Sequence, residues 1–212
     1  MFRDREHAAH LLSDELVEYK DSDAVIVAIP RGGVPIGFHL ANSLGLQFDI
    51  VPSKRIKDPT HSHQSIGSVC LDGLDLVSVS HDVPQDYICH QVAMLKFNLR
   101  SQNQYYRNSV EPIMLKDKVI LLVDDKLVCE NQVLASLRSL HSQQPRKIII
   151  ATPVALPNVL KRLKKEQYEV ICLATPSHAN AVETFYEHLP KVTHEEVKQL
   201  FWNSRQNTNL VC

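Results

Sequence analysis

The strongest constraint on the fold comes from short apolar segments, rich in β-branched residues, that alternate with helical patterns along the chain. Residues 24–29 (AVIVAI) and 119–123 (VILLV) contain no polar side chain, which is typical of strands covered on both faces. Apolar residues with helical spacing follow both segments, at 34–44 and 131–141. Strands that alternate with helices predict a parallel sheet with right-handed crossovers, and therefore an α/β fold.

Other segments of the chain fit the same scheme. Further strands are expected at residues 48–51, 147–152 and 170–174, and helices at 3–19, at 87–105, from Pro157 onward and from the Thr193 capping box onward. A β-hairpin around residues 72–73 would join 68–71 to 74–79. The length of 212 residues suits one α/β domain or two very small ones. We expect a single domain over residues 1–202, followed by a polar tail at 203–212.

Composition narrows the class of protein. The formal net charge of −1 argues against a nucleic-acid partner, since a duplex binder usually carries a basic surplus. No apolar run reaches the roughly 18 residues that span a bilayer, so no membrane partner is expected. The charged opening, residues 1–6 (MFRDRE), lacks the apolar core of a signal peptide, which predicts a cytoplasmic location. The five scattered cysteines form no CxxC pair, which argues against a disulfide framework or a structural zinc site.

Polar residues cluster where the predicted strands end. Residues 30–33 (PRGG), 54–55 (KR), 124–125 (DD) and 152–153 (TP) each follow a predicted strand. The carboxyl ends of parallel strands share one edge of the sheet, and ligands bind in the crevice beyond that edge. We therefore expect these four groups to converge on one crevice.

Two turns at this edge differ in their glycine content. The first turn, residues 30–33, has two glycines that let a backbone approach an anion closely, so it predicts an anion site, with a plain strand-to-helix turn as the alternative. The acids at 124–125 would face a sugar or a metal, or alternatively cap the next helix. The second turn, residues 126–132 (KLVCENQ), has no glycine, serine or threonine. A tight anion loop there would have to be built from residues that carry a Cβ.

Together these motifs resemble those of type I phosphoribosyltransferases, and specifically of small phosphoribosyltransferase-domain proteins. The resemblance is carried by residues 2–5 (FRDR), 28–35 (AIPRGGVP), 54–55 (KR) with the later Pro59 and 66–67 (IG), the acids at 124–125, 174–176 (ATP), 185–186 (FY) and 195–197 (EEV). The match covers residues 2–200. It implies an α/β fold with the parallel sheet of a type I phosphoribosyltransferase and a small hood region, at about 57–110 and 176–200.

The resemblance also implies a reaction. A phosphoribosyl group would pass from phosphoribosyl pyrophosphate (PRPP) to an unidentified nitrogen acceptor, with Mg²⁺ as cofactor. The ligand would be a phosphorylated small molecule, and a homodimer is a common assembly among such relatives. By resemblance, Asp124, Asp125 and Arg55 are catalytic, and the two acids also hold magnesium. The residues expected to bind the phosphates of PRPP are Arg31, Gly32, Gly33, Lys54, Lys126, Cys129, Asn131 and Gln132.

The chain departs from the family pattern in the second turn. Glycines of the family are replaced by Lys126 and Glu130, and threonines by Cys129 and Gln132. Glu130 would bring a carboxylate to the place of the ribose 5-phosphate. Two further departures are His63, where the family tends to carry an acid, and Ala179, where it tends to carry an aromatic residue. The alternative is therefore a catalytically inactive phosphate-binding, nucleotide-binding or regulatory protein on the same fold.

Overall fold

The computed structural model describes residues 1–61, 65–76, 83–178 and 181–208. The strands are Val25–Ala28 (β1), Gln47–Ile50 (β2), Ser53–Lys57 (β3), Ser65–Cys70 (β4), Leu74–Leu76 (β5), Val119–Val123 (β6), Lys147–Val154 (β7) and Glu169–Ala174 (β8). The α-helices are Arg5–Glu15 (α1), Gly33–Leu44 (α2), Gln85–Arg107 (α3), Glu130–His141 (α4), Pro157–Lys165 (α5) and His194–Thr208 (α6).

The main sheet is parallel and has five strands in the order β2-β1-β6-β7-β8. One row across its centre joins Phe48, Ile26, Leu121 and Ile149, all of them buried. Every residue of β1 and β6 is buried, so the sheet is covered on both faces, as their uninterrupted apolar sequences require. The predicted α/β fold with a parallel sheet of the type I phosphoribosyltransferase kind and a small hood is confirmed.

The hood contains a second sheet, which is antiparallel and has the order β3-β4-β5. The predicted hairpin is present between β4 and β5, and its expected end at residues 77–79 lies outside the described residues. Ile56, Ile66 and Ile88 form a small apolar core between this sheet and α3. The hairpin turn packs on α4, where a Cβ on Gly73 would lie 2.2 Å from the carbonyl oxygen of Ala135. The hood is thereby fixed against the helix that follows the second turn.

Two segments that are distant in sequence pair beside the main sheet. The Phe2 amide donates to the carbonyl of Phe185 (2.7 Å), and the Glu187 amide donates back to Phe2 (2.9 Å). The amide of His188 donates to the carbonyl of Arg3 (2.8 Å). The FRDR and FY motifs of the sequence therefore meet in space.

Three sequence expectations are corrected by the structure. Lys54 and Arg55 lie inside β3 of the hood sheet, not at the end of a strand of the main sheet. Thr152 lies inside β7, is fully buried, and donates its hydroxyl to the carbonyl of Val154 (3.1 Å), so the 152–153 pair is not at the sheet edge. Helix α6 continues to Thr208, so residues 203–208 belong to the helix and not to a polar tail.

None of the helices formed within residues 1–61, 65–76, 83–178 and 181–208 combines the length and the apolar composition that crossing a bilayer requires.

Candidate active site

The first turn connects β1 to α2. The peptide bond between Pro30 and Arg31 is cis. The amide of Gly33 donates to the carbonyl of Ile29 (3.1 Å), and the amide of Val34 donates to the carbonyl of Arg31 (3.1 Å). The Gly33 amide is therefore already used, whereas the amides of Arg31 and Gly32 have no partner among the described residues. These two N–H groups and the exposed Arg31 side chain are what the turn offers to an anion.

The two glycines of this turn are required by its contact with the end of β6. A Cβ on Gly32 would lie 2.4 Å from the carboxyl atoms of Asp125. A Cβ on Gly33 would lie 2.6 Å from the carbonyl oxygen of Val123 and 2.9 Å from the Cα of Asp124. Only residues without a side chain allow this approach. The structure therefore brings the first turn and the two acids together.

Asp124 has fewer protein partners than Asp125. Its Oδ1 accepts a hydrogen bond from the amide of Asp125 (2.8 Å), and it forms no ion pair within the described part of the chain. Burial, followed by the charge of Asp125, holds the pKa of Asp124 well above its ordinary value. A bound cation would counteract both effects and favour the ionised carboxylate.

Asp125 is bonded to protein groups through one carboxylate oxygen and through its main-chain carbonyl. Its Oδ2 receives Nε of Arg5 (2.9 Å) and Nη2 of Arg5 (2.8 Å), and both side chains are nearly buried. The carbonyl oxygen of Asp125 accepts the hydroxyl of Tyr186 (2.8 Å). Burial and then the nearby Asp125 raise the pKa of Tyr186, so this hydroxyl remains a donor. Arg5 also donates through Nη1 to the carbonyl of Pro190 (2.8 Å).

The second turn is bonded to the main sheet. Leu127 is buried, its amide donates to the carbonyl of Val154 (2.8 Å), and its carbonyl accepts the amide of Leu156 (3.0 Å). Lys126 pairs with the exposed carboxylate of Glu183 (3.1 Å). Helix α4 then begins at Glu130 without a side-chain cap from Cys129. The turn is therefore anchored to the sheet edge through Leu127, whereas the amides of Val128 and Cys129 have no partner in the part of the chain that the structure describes.

Both turns border one cavity of about 330 Å³. Five cationic and two acidic side chains line it: Arg5, Arg31, Arg55, Lys126, Lys191, Asp124 and Asp125. Arg31, Arg55 and Lys191 have no ion-pair partner within the described ranges. The surplus of unpaired positive charge favours a strongly anionic ligand.

Most of the residues singled out from the sequence line this cavity. They are Arg31, Gly32, Arg55, Asp124, Asp125, Lys126, Cys129 and Gln132. Gly33, Lys54 and Asn131 do not line it, and neither does Glu130, the residue expected to meet the 5-phosphate. His63 and Ala179 lie outside the described residues.

Sequence reasoning did not assign Arg5, Tyr186 or Lys191 to the site. Arg5 and Tyr186 belong to the FRDR and FY motifs, whose positions in the chain give no sign that they meet at Asp125. The only sequence signal for them was that each belongs to one of these two motifs. Lys191 follows the proline that Arg5 binds, and nothing in its local sequence marks it.

A second polar group lies on the hood side of Arg31. The hydroxyl of Tyr106 is 2.6 Å from Nδ1 of His194, and Gln102 donates to the same hydroxyl (2.5 Å). The tyrosine proton therefore points to Nδ1, and the network assigns the proton of the neutral imidazole to Nε2. Burial, together with the charges of Arg31 and Lys54, lowers the pKa of His194. Arg31 and Lys54 therefore both act electrostatically on this histidine, although Lys54 does not line the cavity.

The two acids differ in their suitability as magnesium ligands. Within the described ranges, no group of three or more His, Cys, Asp or Glu side chains could hold a metal ion. Magnesium is commonly bound through one or two carboxylates, with phosphate oxygens of the substrate and waters completing its shell. Asp124, which carries no cationic partner in the described part of the chain, fits that pattern, whereas Asp125 is already paired with Arg5.

Comparisons with known proteins agree with this architecture. The family model described as phosphoribosyl transferase domain matches residues 5–188. Two provisionally named phosphoribosyl transferases, from Mycobacterium tuberculosis strains CDC 1551 / Oshkosh and ATCC 25618 / H37Rv, are each 25% identical over 203 residues. These matches cover 93% of this chain but 45% of each relative, so the chain spans less than half of their length.

A solved structure supports the same assignment. The crystal structure of TT1426 from Thermus thermophilus matches with a TM-score of 0.81 and 29% identity, over 95% of this chain and 98% of that one. Because the family model extends over most of the residues that form the sheet, the hood and the cavity, the chain belongs to the phosphoribosyl transferase domain family.

Proposed function

We propose that the cavity binds PRPP together with Mg²⁺, and that the protein transfers the phosphoribosyl group slowly to a nitrogen acceptor. One observation carries the proposal: the first turn packs directly on the two acids, beside three cations that have no ion-pair partner in the described part of the chain. This arrangement suits a ligand that joins a diphosphate to a sugar.

The pyrophosphate is assigned to the first turn. Arg31 would contact it through its guanidinium group, while the amides of Arg31 and Gly32 would donate from the N-terminal end of α2, where the helix dipole also favours negative charge. Arg55 would reach it from the hood sheet. These groups would stabilise the charge that the leaving pyrophosphate gains as its bond to the ribose breaks.

The ribose is assigned to Asp124. Its carboxylate would accept hydrogen bonds from ribose hydroxyls or hold magnesium through water. When bound, magnesium would neutralise pyrophosphate charge as a Lewis acid. The 5-phosphate then falls near the second turn, where the Leu127 amide is already bonded to Val154. Weak binding of this group is the reason that we expect slow transfer.

The acceptor is assigned to the hood side of Arg31, beside Lys54 and His194. The positive charges that lower the pKa of His194 would also favour an acceptor with a negative group, such as a heterocyclic carboxylate. In a competition assay, we expect carboxylated nitrogen heterocycles to react faster than neutral purines. Lys54→Met should remove this preference, while Lys57→Met, on the same strand, should leave it. Equal preference in both variants would contradict the assignment.

Calorimetry tests the central proposal. We expect PRPP with Mg²⁺ to bind more tightly than ribose 5-phosphate, and Arg31→Gln to weaken both PRPP and inorganic pyrophosphate by about tenfold or more. Lys57→Gln is the control, because Lys57 is exposed and does not line the cavity. Wild-type protein that binds PRPP no more tightly than ribose 5-phosphate would refute the proposal.

A second candidate function follows from the bonded Leu127 amide. The same site could bind phosphates without turnover, as a sensor of a nucleotide or a diphosphate. A variant with glycine at 126 and 130 and threonine at 129 and 132 distinguishes the sensor from the enzyme. If PRPP affinity and transfer rate both rise in this protein, the second turn limits an enzyme. If affinity rises and no product forms with any acceptor tested, the sensor function is favoured.

A further inference from the structure

We propose that the two adjacent acids have different tasks. Asp125 and Arg5 form a positioning pair that connects three segments beside the cavity: the first turn, the N-terminal segment and residues 186–191. Of the two acids, Asp124 alone contacts the ligand. This inference rests on the proposed function for the identity of the ligand. It assigns Arg5 a role in the site and removes Asp125 from the magnesium and ribose contacts.

The first observation is that the Asp125 carboxylate is already paired with Arg5. Two nitrogens of Arg5 lie within 2.9 Å of Oδ2, and the two side chains are only 11% and 6% exposed. A second cation on this carboxylate would be repelled by the buried guanidinium, because charges in a partly desolvated site are poorly screened. The pair therefore neutralises itself and leaves no net negative charge beside the pyrophosphate.

The second observation is what the carboxylate supports. All three of its terminal atoms would lie 2.4 Å from a Cβ on Gly32, so the first turn packs directly against it. The position of Arg31 is thereby linked to the position of Asp125.

The third observation is that the residues of this pair also contact segments that are distant in sequence. Nη1 of Arg5 donates to the carbonyl of Pro190 (2.8 Å), which places Lys191 at the cavity. Tyr186 donates to the carbonyl of Asp125 (2.8 Å), and its ring packs on Phe2 with centroids 5.2 Å apart. One ion pair thus connects the first turn, the N-terminal segment and the segment around residues 186–191.

Asp124 contrasts with its neighbour. Its Oδ1 accepts a hydrogen bond from the amide of Asp125 (2.8 Å), and no guanidinium or ammonium forms an ion pair with it within the described ranges. It is the acid whose ionised form would gain most from a ligand-borne cation. The asymmetry makes the two substitutions separable in an experiment.

The test compares Asp124→Asn, Arg5→Met, Asp125→Asn and the double variant Arg5→Met/Asp125→Asn. We measure Mg²⁺-dependent PRPP binding, Mg²⁺-free pyrophosphate binding and urea unfolding. Asp124→Asn should reduce the Mg²⁺-dependent PRPP affinity by about tenfold or more, while pyrophosphate affinity stays near wild type. Arg5→Met should weaken pyrophosphate binding, because an unpaired carboxylate then lies beside the anion.

The double variant carries the decisive readout. Removing the carboxylate as well should bring pyrophosphate affinity back to within about threefold of wild type, a rescue that general destabilisation would not produce.

The matched control is the pair Arg107 and Asp49, which is similarly buried (11% and 3% exposed, 2.6 Å) and does not line the cavity. Breaking it with Arg107→Met should lower stability without changing pyrophosphate affinity. If the folded double variant loses Mg²⁺-dependent PRPP binding as completely as Asp124→Asn, or shows no rescue of pyrophosphate binding, the inference is overturned. If wild-type protein does not bind PRPP, the proposed function fails, and rescue of pyrophosphate binding alone decides on the pair.

Discussion

The first and second turns follow neighbouring strands, β1 and β6, yet they use their backbones differently. The first has two glycines, packs on the acids and leaves the amides of Arg31 and Gly32 without a partner among the residues that the structure describes. The second has a buried Leu127 that pairs with β7 and its extension. A turn can therefore keep its place at the edge of the sheet while one of its amides is bonded to the sheet and is not available to an anion.

The two turns also differ in how much unpaired positive charge lies beside them. The first turn is accompanied by the side chains of Arg31 and Arg55, unpaired within the described residues, whereas Lys126 of the second turn is paired with Glu183. Binding energy should therefore be concentrated at the pyrophosphate end of the cavity.

Substitution Gly32→Ala should break the first turn. The new Cβ would overlap the carboxylate of Asp125, so the turn must move, and overpacking of this kind costs about 1–3 kcal/mol. We expect pyrophosphate affinity, measured by calorimetry, to fall by about tenfold or more. Gly45→Ala is the control: it strains a left-handed residue at the end of α2 but does not touch the cavity, so affinity should not change.

Substitution Leu127→Pro should damage the second turn without the same loss of function. Proline removes the amide that donates to Val154, and the loss of a buried hydrogen bond costs about 1–3 kcal/mol of unfolding free energy. Urea unfolding should show this loss, while pyrophosphate affinity stays near wild type. A parallel fall in pyrophosphate affinity would mean that the two turns act as one site.

Substitution Asp124→Asn should stabilise the protein at neutral pH. A carboxyl with a raised pKa binds its proton more tightly when folded, so wild-type stability falls as pH rises from the ordinary value of 3.8 through the raised value. The stability gained by the variant should therefore grow over that window and then level off. Thermal unfolding at several pH values measures it, at about 2–4 °C for each kcal/mol recovered. A variant that is less stable at neutral pH would contradict the raised pKa.

Substitution Glu183→Gln should have the smallest effect. The carboxylate that pairs with Lys126 is 75% exposed, and exposed ion pairs contribute about 0–1 kcal/mol. Unfolding free energy should stay within about 0.5 kcal/mol of wild type. PRPP affinity, measured in the same protein, should increase slightly because Lys126 becomes free. A decrease would show that the pair positions the second turn for binding.

The main sheet could be predicted from sequence because its strands are marked by local composition. Ile26 and Leu121 lie in apolar runs with no alternative to burial, and Gly45 closes α2 in the expected left-handed conformation. The hood strand β3 was not predicted, because Lys54 and Arg55 resemble a polar strand end. Their place depends on pairing with β4, which is a tertiary contact.

The candidate site was predictable only where it follows a strand. Arg31 and Asp124 could be placed at one edge because parallel strands end together. Arg5 could not, since its partner is Asp125, 120 positions away, and no local pattern records that contact. Glu130 was wrongly expected to lie at the phosphate. It is the first residue of α4 and is not among the residues that line the cavity.

The pairing of Phe2 and Arg3 with residues 185–188 has a consequence for biosynthesis. The ribosome makes the two partners at widely separated times, so the N-terminal segment must wait for residue 188 before it can form these hydrogen bonds. The central strands β1, β6 and β7 can associate earlier, because all three have been translated by then. A nascent chain stalled before residue 185 would therefore lack the hydroxyl of Tyr186 that donates to the main-chain carbonyl of Asp125 in the finished protein.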